Sequence, residues 1–375
     1  MYPTVVLSGT GLWKPEHTIT NEELVTSYNA YAERFNEQHQ VAIEAGTVVA
    51  KPLSSAEFIE KASGIKSRYI YIKDGALDIE RMQPRIPTRP DDALSNQAEM
   101  ALHAAKAALT AAHKTPADVD AVIVSCAYTQ RSYPAIAIEV QQALGINGFG
   151  FDMLVACSAA TFGLHRAYEM VRAGTANCVL VINPELTSPQ VNYTDRDSHF
   201  IFGDVSVATV VERADTCRAS MPFKLLSTKA LTYFSNTIRS NFGYVLNAND
   251  AHPRAPEQYF HQQGRRVFKE VCPLAADHLM THLRAHDLEP GKVRRWWLHQ
   301  ANINMNRLIA KLVLGRDPDR TEAPVVLDEF ANTASAGSLI AFHLYRDDLE
   351  PGDLGVICSF GAGYSIGSLL VERVY

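Results

Sequence analysis

One succession of segments occurs twice in this 375-residue chain, and that repetition limits the fold more than any other feature. Residues 93–109 are Ala-rich with helical spacing. A loop and a buried strand follow at 117–126. A second strand from Phe149 to Val155 runs straight into a small-residue helix near Cys157, and a third spans Cys178 to Asn183. Downstream, a long helix is predicted from about Glu257 to His286. The segment 291–299 then takes the place of 118–126, 323–332 that of Phe149–Cys157, and 353–363 closes the set. The separation is about 175 residues, and an internal duplication is the economical account. Alternating strands and helices imply an α/β architecture with layered sheets.

The duplication makes Cys157 and Asn332 near-equivalent, each at a strand-to-helix junction. A pseudo-twofold arrangement would bring both junctions to the centre. His299 ends the strand-like run Trp296-Trp297-Leu298 and opens His-Gln-Ala-Asn at 299–302. All three therefore fall at the carboxyl ends of strands, where ligands gather in parallel α/β sheets.

A lone Cys or His at the end of an apolar run is most often packed structure. Three such residues in order, each in a distinctive setting, point to chemistry. Cys157 begins a helix, whose free N–H groups and dipole favour a thiolate nucleophile towards thioesters. His299 can take a proton or, when neutral, donate one hydrogen bond. The Asn332 amide can donate to an oxyanion, with helix capping as its competing task. Gly361-Ala362-Gly363 is a small-residue turn whose N–H groups can approach a ligand closely.

Composition closes off other classes. No run of about 18 apolar residues exists, so no membrane span is expected. The start, Met-Tyr-Pro-Thr-Val-Val-Leu-Ser-Gly, lacks the basic and long apolar regions of a signal peptide, so a cytoplasmic enzyme is expected. The six cysteines (126, 157, 178, 217, 272, 358) include no C-x-x-C pair and no zinc-like cluster with His. A net charge of −6 gives no general attraction to nucleic acid. Two stretches stand outside the repeat: 28–56, where Tyr28, Tyr31 and Phe35 suggest a loose helix, and 184–256. The latter holds a strand-like 200–211 and an Asn/Asp-containing loop to about Arg254.

The motifs resemble the β-ketoacyl-acyl-carrier-protein synthase III family of the thiolase superfamily, nearly end to end. The resemblance is carried by Ser8-Gly9-Thr10-Gly11, Gly64-Ile65-Lys66-Ser67-Arg68, Tyr133-Pro134 and the Cys157 segment, then by Ile201-Phe202-Gly203-Asp204, Val267-Phe268-Lys269, His299-Gln300-Ala301-Asn302, the Asn332 segment and Phe360-Gly361-Ala362-Gly363. It implies a thiolase-like fold of two pseudo-twofold βαβαβαβ halves, residues 1–212 and 213–375, layered α-β-α-β-α. It also implies a homodimer and no metal or redox cofactor.

The implied reaction is a decarboxylative Claisen condensation of an acyl-CoA primer with malonyl-acyl carrier protein. Cys157 would carry the acyl group, His299 and Asn332 would hold the malonyl thioester carbonyl, and the N–H groups of Cys157 and Ala362 would form the oxyanion hole. Tyr133 would close the acyl pocket of the partner subunit, and Phe58 would stack on the coenzyme A base. Lys269, Arg307 and Lys311, with Arg266, would dock the acidic carrier. Two departures bear on the primer. Ala62 and Leu186-Thr187-Ser188 stand where the family has arginines that grip coenzyme A, and the segment Thr26–Ser54 is longer by about 25 residues. The longer segment resembles a subgroup primed by medium-chain acyl-CoA. Related condensing enzymes of secondary metabolism or head-to-head acyl condensation would share the triad, whereas a silent partner of the same fold would have lost the Cys.

Overall fold

A computed structural model describes residues 2–248, 255 and 258–375. The first half of the chain runs β1 (Val5–Trp13), β2 (His17–Thr20), α1 (Asn21–Gln38), α2 (Gln40–Glu44), α3 (Ala56–Ser63), β3 (Ser67–Ile70), α4 (Asn96–Ala111), β4 (Ala121–Cys126), α5 (Ile136–Leu144), β5 (Phe149–Leu154), α6 (Ala159–Ala173), β6 (Cys178–Glu185) and β7 (Val205–Arg213). It continues with β8 (Phe223–Ser235), β9 (Ile238–Arg239), β10 (His261–Gln262), α7 (Gly264–Arg284), β11 (Val293–Leu298), α8 (Ile303–Leu314), α9 (Leu327–Phe330), α10 (Gly337–Leu344), β12 (Leu354–Gly361) and β13 (Gly363–Arg373).

Nine strands join in the order β11-β12-β13-β8-β1-β7-β6-β4-β5. Outward from β1, the pairings are antiparallel to β7, antiparallel to β6, then parallel to β4 and to β5. Outward from β8 the same sequence recurs: antiparallel to β13, antiparallel to β12, parallel to β11. The two series meet where β1 and β8 pair antiparallel, Val6 opposite Lys224 and Leu7 opposite Phe223. A local twofold relation between β1 and β8 follows from that antiparallel join.

Burial divides the helices into layers. The small faces of α4 (Ala101, Ala104, Ala105, Ala108) and of α5 (Ala137, Val140) cover one outer surface with Val122, Val124 and Leu180. Side chains of α6 and α10, among them Leu164, Val171, Leu339 and Phe342, pack with Val181, Val207, Trp297 and Ile357 as the middle layer. Val271, Leu279 and Leu283 of α7 and Ile309 and Val313 of α8 cover the other outer surface with Trp296 and Leu370. Backbones touch where side chains vanish: a Cβ on Gly11 would lie 2.2 Å from the carbonyl oxygen of Ala104. This is the thiolase-like α-β-α-β-α layering.

Three sequence expectations need correction. The segment 323–326, the counterpart of β5, joins no ladder. Pro324 removes a donor there, and the Gln300 side chain takes the place of a partner strand, donating to Pro324 O (3.3 Å) and accepting from Val326 N–H (3.0 Å). The helix expected from Glu257 starts at Gly264; Glu257 itself, and residues 249–254 of the loop expected up to Arg254, lie outside the described residues, and His261–Gln262 is extended against Ile238–Arg239. The strand expected over 200–211 begins only at Val205, because 200–204 turns to bridge Phe202 with Asn332.

The 28–56 stretch is a real helix and a strap. Tyr28 and Ala32 are buried on α1. Asn29 and Asn36, two turns apart on one face, each pair both amide atoms with one backbone residue. Asn29 bonds the N–H and C=O of Ser54 (2.8 and 3.1 Å), and Asn36 those of Lys51 (2.8 and 2.9 Å). Seven helical residues and three extended ones both span about 10 Å, so the strap lies along the helix.

Candidate active site

β5 hands the chain to a one-turn segment, Ala156–Ser158, that leads into α6. Ala156 has φ 45°, in the left-handed region that costs a non-glycine residue roughly 1–2 kcal/mol. That kink lifts Cys157 out of the strand direction. The end of β12 lies directly against it: a Cβ on Gly361 would sit 2.5 Å from Cys157 Cβ, so no side chain fits there. The N–H groups of Cys157 and Ala362 both act on the thiol as hydrogen-bond donors.

Burial nevertheless pushes the Cys157 thiol up to about 12, and the charge of Glu185 adds to the effect, against the pull of those two N–H groups. The thiolate expected from the helix start is therefore not the resting state, because desolvation outweighs the helix terminus. A Cys157 acting as a nucleophile would have to lose its proton as the sulfur attacks.

His299 follows β11 and is 2% exposed. Its backbone N–H donates to Cys358 O on β12 at 2.8 Å, and its ring meets the Phe360 ring edge-on at 5.1 Å. Burial pulls its pKa down to about 3, so the imidazole is neutral at ordinary pH. Nδ1 is buried with no hydrogen-bond partner among the described residues. An unpaired buried acceptor is tolerated better than an unpaired N–H, which puts the proton on Nε2.

The Cys157 solution is repeated by Ala334–Ala336, with Ala334 at φ 48° and Ser335 in the place of Cys157 rather than the expected Asn332. The residue before Asn332, Ala331, has φ 58° and ψ −160°, a region nearly confined to glycine. The backbone of Asn332 is stitched to the 200–204 turn, its N–H donating to Ile201 O (3.0 Å) and its C=O accepting from Gly203 N–H (3.1 Å). Oδ1 accepts from Ala334 N–H at 3.0 Å, which leaves the Nδ2 end as the donor. Capping and donation thus coexist in one amide. The Ala156–Ser158 and Ala334–Ala336 turns pack on each other. Since the end of β12 touches both His299 and Cys157, the three residues are assembled at one place.

Sequence reasoning missed Glu185. This carboxylate is fully buried and accepts from Ala127 N–H (3.1 Å) and from Ser335 N–H (3.2 Å) and hydroxyl. Its field reaches Cys157. A Glu closing a strand that is buried along all eight residues was the signal available.

The remaining candidates scatter around this centre. Phe58 lies on α3, which Ser55 caps by accepting from Phe58 N–H at 3.0 Å. The guanidinium of Arg196 stacks over the Phe58 ring at 3.8 Å. That stacked cation comes from the loop between β6 and β7. Thr187 and Ser188 are themselves buried, their N–H groups held by Asp204 (2.7 and 2.8 Å). Tyr133 is 75% exposed on the loop before α5, and α5 is pinned to β5 because Asp152 accepts from Ile136 and Ala137 N–H (2.8 and 2.9 Å). Lys269 on α7 and Arg307 on α8 are exposed and form no ion pair among the described residues. Lys311 is paired with Asp317 (3.1 Å) and Arg266 with Glu270 (2.7 Å), both pairs lying at the exposed surface. No group of three His, Cys, Asp or Glu among the described residues could hold a metal ion, and no helix there is long and apolar enough to cross a membrane.

A layered α/β fold with a cysteine, a neutral imidazole and a carboxamide at its pseudo-twofold centre defines a thiolase-fold condensing enzyme. Comparison with known proteins narrows this. The 3-oxoacyl-[acyl-carrier-protein] synthase III family model matches residues 151–229, and its C-terminal model matches 283–373. The chain is 50% identical over 347 residues to a beta-ketodecanoyl-[acyl-carrier-protein] synthase of Pseudomonas aeruginosa, covering 92% of this chain and 99% of that one. It is 30% identical over 280 residues to a beta-ketoacyl-[acyl-carrier-protein] synthase III of Bartonella henselae, covering 73% and 83%. The crystal structure of the synthase III of Aquifex aeolicus shares the fold, with a TM-score of 0.75 at 24% identity over 98% of this chain and 99% of that one. This chain belongs to the 3-oxoacyl-acyl-carrier-protein synthase III family, acyltransferases of fatty acid biosynthesis that work by Claisen condensation.

Proposed function

We propose that this enzyme condenses a medium-chain acyl-CoA primer with malonyl-acyl carrier protein, and that Cys157, His299 and Asn332 carry the reaction. The observation that supports it most is the thiol of Cys157 seated against two backbone N–H donors, its own and that of Ala362. In the first half-reaction the sulfur attacks the primer thioester, its proton leaves, and coenzyme A departs as the free thiol. In the second, Nε2–H of His299 and Nδ2–H of Asn332 hold the malonyl thioester carbonyl. Those bonds strengthen as loss of carbon dioxide builds the enolate, which is differential binding of the transition state. The carbanion then attacks acyl-Cys157, the oxyanion rests on the two N–H groups, and collapse expels the Cys157 sulfur and releases the 3-oxoacyl chain on the carrier. Burial suits the second step, because it keeps His299 a neutral donor.

The primer assignment is supported by the strapped α1 segment and by the 50% identity to a beta-ketodecanoyl synthase. A ten-carbon product made by adding two carbons takes an eight-carbon primer. Each methylene buried contributes about 0.8 kcal/mol. A steady-state series of acyl-CoA lengths with malonyl-carrier protein tests this: kcat/KM rising from acetyl to a maximum near octanoyl is expected, and an acetyl optimum would refute the medium-chain assignment. Phe58 with Arg196 would hold the coenzyme A base, and Lys269 with Arg307 would meet the acidic carrier. We further infer a cytoplasmic homodimer, with residues 1–212 and 213–375 as its two halves in each chain. The edge of β5, unpaired among the described residues and with Phe149 and Leu154 exposed, supports the dimer, since bare apolar edges are normally covered. In such a dimer Tyr133 would reach the partner's acyl pocket.

A further inference from the structure

Glu185 ends β6 as Gly361 ends β12. Both strands have eight residues and pair antiparallel with the next strand, Cys178 opposite Glu212 through Glu185 opposite Val205, and Leu354 opposite Glu372 through Gly361 opposite Ser365. The two residues therefore occupy the same place in the duplication. Each reaches across to the other half. Gly361 lets the end of β12 lie against Cys157. Glu185 reaches the turn of Asn332, where Ser335 donates to Oε1 with its N–H (3.2 Å) and its hydroxyl. The same carboxylate takes Ala127 N–H on Oε1 and Oε2 (3.2 and 3.1 Å), at the start of the loop that carries Tyr133.

We propose that Glu185 is a positioning residue for malonyl decarboxylation: by anchoring Ser335 it fixes the turn that aims Asn332, and it couples that aim to the Tyr133 loop. The inference rests on the condensation proposed above. The lever is short. Ala334 N–H orients the Asn332 amide by donating to Oδ1, and Ala334 is bonded directly to Ser335. Three hydrogens converge on the carboxylate from two loops, so both oxygens must accept. Glutamine keeps the shape but turns an NH₂ towards one of those donors. The titratable groups facing Glu185 are Cys126 from β4, Tyr128 from the following loop and Cys157 from the turn before α6. None of these is a cation. Burial accordingly raises the Glu185 carboxyl to about 7, with the Ser335 and Ala127 bonds opposing the rise. An unpaired buried carboxylate is costly to keep, and its hydrogen-bond partners flank the reactive residues.

The test separates the two half-reactions in the full-length enzyme. For Glu185→Gln, acylation of Cys157 by octanoyl-CoA, followed by intact-protein mass spectrometry, is expected to stay within about threefold of wild type. Carbon dioxide release from labelled malonyl-carrier protein is expected to fall roughly tenfold or more. Ser335→Ala, which removes only the hydroxyl bond, should show the same split at a few-fold and carries the test if Glu185→Gln does not fold. Acylation and decarboxylation falling in proportion, or both staying at wild-type rates, would overturn the positioning role. Wild-type enzyme that acylates but releases no carbon dioxide would instead overturn the functional reading, a result visible without any variant.

Discussion

The turn that holds Cys157 and the turn that follows Asn332 share one backbone conformation and serve two different proposed roles. Both open on an alanine at positive φ, Ala156 at 45° and Ala334 at 48°, with Cys157 second in one turn and Ser335 second in the other. Both lead through a short turn into a helix of the middle layer, α6 or α10. What differs is the surroundings of each side chain. Around Cys157 the backbone presents donors to the sulfur, so charge can develop there during attack. Around Asn332 the backbone consumes the acceptor Oδ1, so only a donor remains. The same kink thus carries the proposed nucleophile in one half and, in the other, orients the proposed clamp through the bond from Ala334 N–H to Asn332 Oδ1.

The largest expected effect falls on the nucleophile side. Cys157→Ala should give no acyl-enzyme by intact-protein mass spectrometry, with an unchanged thermal transition; a residual acyl adduct would move the nucleophile elsewhere. His299→Ala and Asn332→Ala should instead keep acylation and lose decarboxylation by roughly 10²–10³, measured as labelled carbon dioxide. A variant of either that released it at the wild-type rate would erase the contrast between the halves.

A pH profile of decarboxylation on pre-acylated enzyme sharpens the comparison further. His299, with its pKa lowered to about 3, stays neutral as pH falls through 6.5, so no loss is expected from it there. Glu185, raised to about 7, should protonate as pH drops below 7 and cost activity on its acid side. The acid limb should therefore lie near 7 in wild type and vanish in Glu185→Gln. For stability the two groups have opposite signs. The raised Glu185 pKa makes folding less favourable as pH climbs from about 4.5 to 7, and the lowered His299 pKa makes it more favourable from about 3 to 6.5.

Strain gives the smallest effect. Ala331→Gly relieves the φ of 58°, worth roughly 1–2 kcal/mol, against roughly 0.4–1 kcal/mol of added freedom in the unfolded chain. A net gain of up to about 1.6 kcal/mol in urea unfolding is expected, and a clear loss would mean that the alanine methyl is needed for packing.

What the sequence disclosed follows from what a repeat can encode. The order of strands and helices was legible because each element carries its own periodicity, but the expected equivalence of Cys157 with Asn332 was three residues off, since Ser335 holds the matching place. The missing fifth strand was not, because Pro324 and the Gln300 side chain decide it together and they lie 24 residues apart. Cys157 was read as a thiolate from its helix start, a local cue; the desolvation that reverses it comes from layers packed from both halves. Arg196 on Phe58 and Glu185 on Ser335 pair residues about 140 to 150 positions apart, contacts that no spacing rule reaches.

A pulse of octanoyl-CoA followed by a chase with malonyl-carrier protein, read by peptide-resolved mass spectrometry, tests the central claim most directly. The account predicts an acyl group on Cys157 alone that disappears in the chase as a 3-oxoacyl chain two carbons longer on the carrier. Label on Cys126, Cys178, Cys217, Cys272 or Cys358, or an acyl-Cys157 that persists through the chase, would contradict it.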